Sequence, residues 1–346
     1  MPTLVSVPRV RSITLLLAFS FGFLVGLSLF SMRYVTVNSA QVVTKQDLSL
    51  SRLPATSADN KETVCNTPLK LTFIILSSPF GTGAPRRAAI RRTWLNLYNG
   101  LTGVKIVAKF VIGIRGLAKE NLAVMMDESS TYKDMLLFDN FQDIYDNLSL
   151  KVLYSFIWAH GDHDFDYLIK VDDDSFVQLD RFVTALKNMN CPKLLYWGYF
   201  NGRGFPNYAG KWAEKQWTLC PHFLPYAMGG GYVLSWKLID LITSINDSLA
   251  VYKNEDVTVG AWLAPFRVHR VHDIRFNTEG HSHGCNNNYI ITHKEKAVTF
   301  IQKLKSVSTN RTLCQVEREV KPAYLYNWQV PPPLCCKREY GIPIPK

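Results

Sequence analysis

Three consecutive aspartates, Asp172 to Asp174, are candidate functional residues in the sequence. They follow the run 167–171 (YLIKV), which is typical of a buried strand, so the carboxylates stand where that strand ends. Side chains alternate across a strand, so Asp172 and Asp174 share one face while Asp173 points the other way. Two carboxylates on one face suit a divalent cation that also binds a diphosphate. The alternative is that Asp173 and Asp174 cap the next turn.

A histidine near these aspartates would indicate which cation they bind. Aspartate oxygens suit magnesium, calcium or manganese, and an added imidazole favours manganese. The candidates late in the chain are His272, His281, His283 and His293. His293 follows the apolar run 289–292 and could therefore also stand at a strand end, although any one late histidine is more often structural.

A second acidic group, Asn254-Glu255-Asp256, precedes the apolar stretch 259–265. Acidic residues at this point can cap a helix, where the positive end of the helix dipole stabilises them. One of the carboxylates could instead be a general base that deprotonates a hydroxyl nucleophile. Both roles are compatible, because a capping carboxylate keeps a free oxygen.

Two further groups could contact a ligand. The run 228–232 (MGGGY) permits close approach of the backbone to a ligand, with a flexible loop as the alternative. Four aromatic residues could stack on the apolar faces of sugars or belong to the core; they are Trp197, Tyr199, Trp212 and Trp217.

The elements that must position these residues alternate between strands and helices. Strands are predicted at residues 71–76, 104–112, 135–138, 167–171 and 194–199, and helices at 88–98, 117–128, 145–160 and 179–189. This alternation predicts an α/β domain with a largely parallel sheet covered by helices on both faces. Ligands of such sheets bind beyond the carboxyl ends of the strands, where the three aspartates are expected.

The N-terminal region predicts where in the cell the protein is located. Residues 13–32 form an uncharged apolar run that is long enough to cross a bilayer. We interpret them as a single-pass type II anchor after a cytoplasmic tail (1–12), followed by a polar stem (33–67) and a lumenal domain (68–346). The alternative is a cleaved signal peptide, but 28–31 make a poor cleavage site.

Composition narrows the class of protein. Of 346 residues, 47% are hydrophobic and 19% charged, which excludes a mainly disordered chain, and one apolar run excludes a polytopic membrane protein. The net charge of +11 suits anionic partners. A lumenal address excludes nucleic acid from these, and it fits the N-glycosylation sequons at Asn147, Asn246 and Asn310.

The seven cysteines are consistent with that address. They lack the paired spacing of a zinc ribbon and could form up to three disulfides, with one cysteine left over. The adjacent Cys335 and Cys336 are expected to bond elsewhere rather than to each other.

Three segments carry a family resemblance. Residues 86–94 (RRAAIRRTW), 170–174 (KVDDD) and 255–260 (EDVTVG) resemble, in order and separation, the motifs of the β1,3-galactosyltransferase family. Leu95 departs from it, since many members carry glycine there, and we expect an effect on the local turn rather than on chemistry. Further segments resemble the members that add the second galactose of the linker between glycosaminoglycan and protein; they are 195–204, 224–235, 260–265 and 335–343.

The resemblance implies a glycosyltransferase-A (Rossmann-like) domain in the Golgi membrane, with Mn²⁺, UDP-galactose as donor and inversion at the anomeric carbon. The implied acceptor is the galactosyl-xylosyl-serine of proteoglycan core proteins. By motif position, Asp174 would bind the metal and Asp256 would be the base, with His293 the chosen histidine ligand and His272 the second choice. The residues implied to hold the nucleotide-sugar are Arg87, Arg91, Lys170, Asp172 and Asp173, although Arg91 could instead brace the sheet.

Two other functions remain open at this point. One is a β1,3-N-acetylglucosaminyltransferase of the same fold, because the shape of the donor pocket decides which sugar is transferred. The other is a non-catalytic sugar-binding or chaperone-like protein on this scaffold, which loss of the metal or base residues would have favoured. Asp174 and Asp256 are both present.

Overall fold

The computed structural model describes residues 65–97, 101–162 and 164–346. The predicted tail, the predicted anchor and all but the last three residues of the predicted stem lie outside these ranges. Within them, none of the helices has the length and apolar character that crossing a membrane requires.

The strands begin where the sequence turns apolar and rich in β-branched residues. In chain order they are β1 Leu69–Leu76, β2 Val104–Gly113, β3 Met135–Phe138, β4 Tyr167–Asp172, β5 Phe176–Val177, β6 Leu195–Asn201, β7 Tyr226–Ser235, β8 His269–His272, β9 Phe276–Asn277, β10 Gly284–Cys285, β11 Ile291–Thr292 and β12 Arg318–Glu319. The five strands predicted from sequence are all confirmed, with ends shifted by two residues or fewer.

A seven-stranded sheet in the order β3-β2-β1-β4-β7-β6-β8 forms the centre of the described domain. Only β7 of these seven runs opposite to the rest, pairing antiparallel with β4 and β6. Seven of the eight residues of β1 are buried, which is expected for a strand covered on both faces. Because β1, β4 and β6 point the same way, their carboxyl ends meet at one edge.

Strand β7 corrects the alternative given for residues 228–232. These residues form part of a strand and not a flexible loop. Their glycines admit close neighbours: a Cβ at Gly230 would lie 2.5 Å from Nδ1 of His293, and one at Gly231 would lie 3.0 Å from Ile291. The close approach predicted for this run is therefore made by side chains of the protein itself.

The helices are α1 Gly83–Arg92, α2 Lys119–Tyr132, α3 Leu148–Asp162, α4 Leu179–Asn188, α5 Trp236–Ser244, α6 Glu255–Leu263 and α7 Ala297–Asn310. Helix α1 starts five residues earlier than predicted, because Pro85 is accepted in a first helical turn. In α3, Val152, Phe156 and Ala159 recur at helical spacing and are fully buried. Helix α3 packs on α5 and α6, and α1 packs on α7.

Three disulfides join Cys65 to Cys191, Cys285 to Cys314 and Cys335 to Cys336. The expectation that the last two would bond elsewhere is wrong. All seven cysteines lie in the described ranges. Four of them form the first two disulfides, and Cys220 is free and exposed. Cys335 and Cys336 are both buried and form the third disulfide with each other.

Candidate active site

A cavity of about 850 Å³ opens at the carboxyl ends of the parallel strands. Its lining includes Ser77 after β1, Asp172 at the end of β4, Asn201 at the end of β6 and Asp256 in the first turn of α6. This is the edge at which the alternation of strands and helices predicted a ligand site.

Asp172, Asp174 and His293 come together in this cavity, with one ligand atom of each within 4.8 Å of the others. Nε2 of His293 lies 3.0 Å from Oδ1 of Asp174 and 3.4 Å from Oδ2 of Asp172. Local pairing explains the approach. Strand β5, just after the aspartates, pairs antiparallel with β11, so that Thr292 lies opposite Phe176 and His293 reaches the aspartate turn.

The chemistry of this cluster fits a divalent cation. Oδ1 of Asp174 and Nε2 of His293 are buried, and among the described residues neither has a hydrogen-bond partner outside the cluster, so a cation between them would satisfy both. Burial opposes ionisation of Asp172, but Lys170 and His293 outweigh it and hold the pKa of this carboxyl well below its usual range. Two carboxylate oxygens and an imidazole are a suitable ligand set for a divalent transition metal.

The pKa of His293 responds to the same cluster. Burial lowers it, but the hydrogen bonds and negative charges of Asp172 and Asp174 outweigh burial and raise the pKa to about 9. A cation that binds Nε2 has to displace the proton held there, so cation binding at neutral pH releases a proton.

Asp173 is not part of the cluster. Strand β4 ends at Asp172, so Asp173 and Asp174 lie in the turn after it, and strand alternation does not set the directions of their side chains. Asp173 accepts hydrogen bonds from the Ser77 hydroxyl at 2.8 Å and from Nη1 of Arg86 at 2.9 Å. Burial raises the pKa of Asp173 to about 6, although Ser77 and Arg86 oppose that shift. Asp173 therefore fixes Arg86 at the cavity wall.

Lys170 links the aspartates to helix α6. Its buried ammonium lies 2.8 Å from Asp172 and 2.9 Å from Glu255, and it donates to the carbonyl of Gly229 at 2.5 Å. Glu255 also accepts a hydrogen bond from Tyr232. Since three partners use the three N–H donors of a lysine, Lys170 holds the two carboxylates in place and has no donor left for a ligand.

Asp256 lies in the first turn of α6 and at the cavity, a position compatible with both roles that the sequence left open. Its Oδ1 accepts the N–H of Val257 at 2.9 Å in the first turn of α6, and its Oδ2 accepts the N–H of Gly229 at 3.0 Å. The side chain lines the cavity and is half-buried. Burial raises the pKa of Asp256 above its usual value, against the opposing effects of Lys170 and these hydrogen bonds. The second lone pair of each oxygen remains available.

The placement of Arg87 and Arg91 requires a correction. Arg87 is fully buried and binds Glu128 through Nε at 2.8 Å, and Arg91 binds the same carboxylate at 2.7 Å and Asp134 at 2.8 Å. Neither is among the described residues that line the cavity. Arg91 braces helix α1 against the start of β3, as its alternative role stated.

Arg86 and Lys151, which line the cavity, were not predicted as site residues. Residues four apart share a helix face, so Arg87 and Arg91 turn together and Arg86 is directed elsewhere. This spacing in the sequence could have indicated that Arg86 faces a different direction from Arg87 and Arg91. Lys151 interrupts the apolar face of α3, and its buried ammonium donates to Asp143 at 2.7 Å and to the Ser77 carbonyl at 2.6 Å. Burial lowers its pKa, against the effect of Asp143.

His272, the second choice for a metal ligand, lies outside the cluster. Its Nδ1 accepts the N–H of Phe200 at 3.0 Å, and its Nε2 lies 2.8 Å from the carbonyl of Tyr324. Burial lowers the pKa of His272 to about 4, even though the Tyr324 carbonyl opposes that change. Its two nitrogens are committed to the backbone.

The four aromatic candidates divide by burial. Trp197, Tyr199 and Trp217 are at most 4% exposed and belong to the core. Trp212 is 59% exposed and lines the cavity.

The chain is similar to known glycosyltransferases. A family model described as Galactosyltransferase matches residues 85–274, more than half of the chain. Beta-1,3-galactosyltransferase 6 of Mus musculus is 38% identical over 275 residues, which cover 79% of this chain and 84% of that protein. Beta-1,3-galactosyltransferase GALT1 of Arabidopsis thaliana is 28% identical over 71% of this chain but only 39% of its own length.

A solved mannosyltransferase of Pyrobaculum calidifontis, in complex with GDP-Man and Mn²⁺, overlaps 60% of this chain and 56% of its own, at 10% identity and a TM-score of 0.34. By the family match and the mouse relative, the chain belongs to the galactosyltransferase family, as its three sequence motifs predicted.

Proposed function

We propose that this protein is an inverting β1,3-galactosyltransferase of the glycosyltransferase-A fold that uses UDP-galactose. Its acceptor is the galactosyl-xylosyl-serine of proteoglycan core proteins, the substrate of galactosyltransferase II in glycosaminoglycan linker synthesis. The observation that carries the proposal is one cavity lined by the Asp172, Asp174 and His293 cluster and by Asp256. The similarity to the mouse β1,3-galactosyltransferase supports the linkage.

Asp174 and His293, with Asp172 beside them, are the residues that would hold a manganese ion. When bound there, such an ion offsets the charge that develops on the UDP leaving group. Arg86 is fixed by Asp173 at the same wall, and its remaining guanidinium donors suit phosphate oxygens. In this proposal Arg86 takes the nucleotide-binding role that the motif implied for Arg87 and Arg91.

Asp256 acts as the general base of the proposed reaction. Its carboxylate takes the proton of the acceptor 3-hydroxyl while that oxygen bonds to the anomeric carbon of galactose and the bond to UDP breaks. The N–H groups of Gly229 and Val257 hold the carboxylate, and Lys170 fixes Glu255 beside it. These contacts hold the base in one orientation, which reduces the entropy that is lost when it meets the acceptor hydroxyl.

We place the enzyme in the Golgi membrane, anchored through residues 13–32 with its catalytic domain in the lumen. The three disulfides support an oxidising compartment, and the apolar run supports the anchor. Asn310, in the third sequon, is exposed at the end of α7 and is accessible to glycosylation.

The test offers purified lumenal domain UDP-galactose or UDP-N-acetylglucosamine with a galactosyl-xyloside acceptor, with and without manganese. We expect manganese-dependent transfer of galactose to the 3-hydroxyl of the acceptor, identified by NMR of the product. Transfer of N-acetylglucosamine instead would refute the donor assignment. No transfer of either sugar to any β-galactoside, by folded protein that binds UDP, would support a non-catalytic role.

A further inference from the structure

A loop between β6 and β7 presents aromatic side chains at the mouth of the cavity. We call residues 203–217 the rim loop. Phe205, Tyr208 and Trp212 in it are 58%, 69% and 59% exposed. Phe205 and Trp212 line the cavity, whereas Tyr208 is not among the described lining residues. The loop thus directs two exposed aromatic rings towards the cavity and a third elsewhere.

The rim loop is tied to the helix that carries Asp256. Glu214 is fully buried, and its Oε2 accepts the N–H groups of Lys253 at 2.7 Å and Asn254 at 3.1 Å. The Asn254 side chain in turn donates to the carbonyl of Trp212 at 3.3 Å. Because Asn254 is the residue before α6, these bonds hold the loop and the first turn of α6 as one unit.

The chemistry around the two aromatic rings matches a saccharide. Asn201, Arg203, Asn207 and Lys211 also line the cavity, so its wall carries hydrogen-bonding groups as well as the two apolar rings. A pyranose has the same two characters, since its C–H bonds form apolar faces and its hydroxyls lie at the edge. A lipid or an apolar peptide would cover these polar groups without offering them hydrogen bonds.

We propose that the rim loop carries the acceptor-binding subsite, formed by Trp212 and Phe205, which stack on the sugar that precedes the reacting galactose, while Tyr208 lies outside it. Glu214 is a positioning residue, which holds the two aromatic rings in a fixed position relative to Asp256. The proposal rests on the proposed function and extends it by naming the side chains that select the acceptor.

The experiment compares Trp212→Ala and Phe205→Ala with the matched control Tyr208→Ala. The acceptors are galactosyl-xyloside and methyl β-galactoside, which lacks the second sugar. We expect Trp212→Ala to raise KM for galactosyl-xyloside about tenfold, equivalent to about 1.4 kcal/mol, with a smaller effect from Phe205→Ala. KM for UDP-galactose and all constants for methyl β-galactoside should stay unchanged, Trp212→Phe should recover most of the loss, and Tyr208→Ala should resemble wild type.

Glu214→Gln supplies a separate readout. We expect it to lower kcat and to raise KM for galactosyl-xyloside without changing KM for UDP-galactose. The reason is that the hydrogen bonds of Glu214 hold the rim loop, with Trp212, and the first turn of α6, with Asp256, in fixed relative positions. A purely structural role would lower the melting temperature and the amount of active protein, and would leave the KM of the folded fraction unchanged.

The outcomes separate the two proposals. Wild-type protein that transfers galactose, with equal acceptor KM in Trp212→Ala, Tyr208→Ala and wild type, refutes the rim-loop subsite alone. Wild-type protein that binds UDP but transfers no sugar refutes the proposed function and, with it, the subsite. Since Trp212 and Tyr208 are both mostly exposed, neither substitution is expected to change folding, and a thermal melt checks this.

Discussion

Replacement of Asp256 by asparagine tests the mechanism most directly. An amide of the same size cannot accept a proton at neutral pH, so kcat should fall by about 10²–10⁴-fold, the usual contribution of a general base. The affinities for UDP and manganese should stay close to wild type, because the cluster at Asp172, Asp174 and His293 is built from other elements.

The structure also sets the expected effect on stability. The two carboxylate oxygens of Asp256 accept one backbone N–H each, from Gly229 and Val257. In asparagine one of those oxygens becomes an NH₂ group facing an N–H donor, at a cost of about 1–3 kcal/mol. Burial has raised the pKa of Asp256, so removal of the charge offsets part of that cost. We expect a net loss of about 1 kcal/mol, or a Tm lower by about 2–4 °C.

Three measurements on one preparation check this prediction: initial rates at saturating substrates, a calorimetric titration with UDP and manganese, and a thermal melt. Glu255→Gln is the companion variant, since Glu255 is the other carboxylate of the same helical turn but is bound by Lys170 and Tyr232. Full activity of Asp256→Asn, with loss of activity in Glu255→Gln, would refute the assignment and move the base to Glu255.

Three further results are expected. Arg87→Ala should cost about 1.5–3 kcal/mol in urea unfolding, because Glu128 loses its fully buried partner and keeps Arg91, whereas Arg86→Ala should mainly weaken UDP binding; the opposite pattern would contradict both placements. Asp174→Ala should abolish manganese binding in calorimetry with the fold intact, and near-normal turnover at saturating manganese would exclude it as a ligand. Burial raises the pKa of Glu255 from 4.5 to about 7 despite Lys170, so the folded state holds a proton that the unfolded state releases in this window. Stability should therefore decrease as pH rises from 4.5 to 7. Glu255→Gln should reduce that slope in urea titrations at both pH values, and the remainder comes from Asp173 and Asp256, whose pKa values burial also raises.

Much of the sheet could be predicted from the sequence because its signals are local. Apolar, β-branched runs predicted five strands, and the aspartates directly after one of them placed the candidate site at the carboxyl edge. The strand alternation used to separate Asp173 from Asp172 and Asp174 does not apply, because β4 ends at Asp172 and the other two aspartates lie in the turn after it. Strand β7 was missed because its glycines are typical of loops, and only its pairing with β4 and β6 makes it a strand.

Long-range pairing decided the rest of the site. The choice of His293 over His272 depends on the register of β5 with β11, which no local pattern encodes. Cys335 bonds to its neighbour because the other cysteines lie elsewhere in the fold or pair with one another. Arg87 turned out to be buried because Glu128, 41 residues away, lies opposite it, and Glu214 holds the rim loop to α6 across 40 residues. The sequence alone identified most of the candidate catalytic and metal-binding residues and the edge of the sheet at which they lie. Only the tertiary structure decided which of them meet, because each meeting depends on contacts between segments that are distant along the chain.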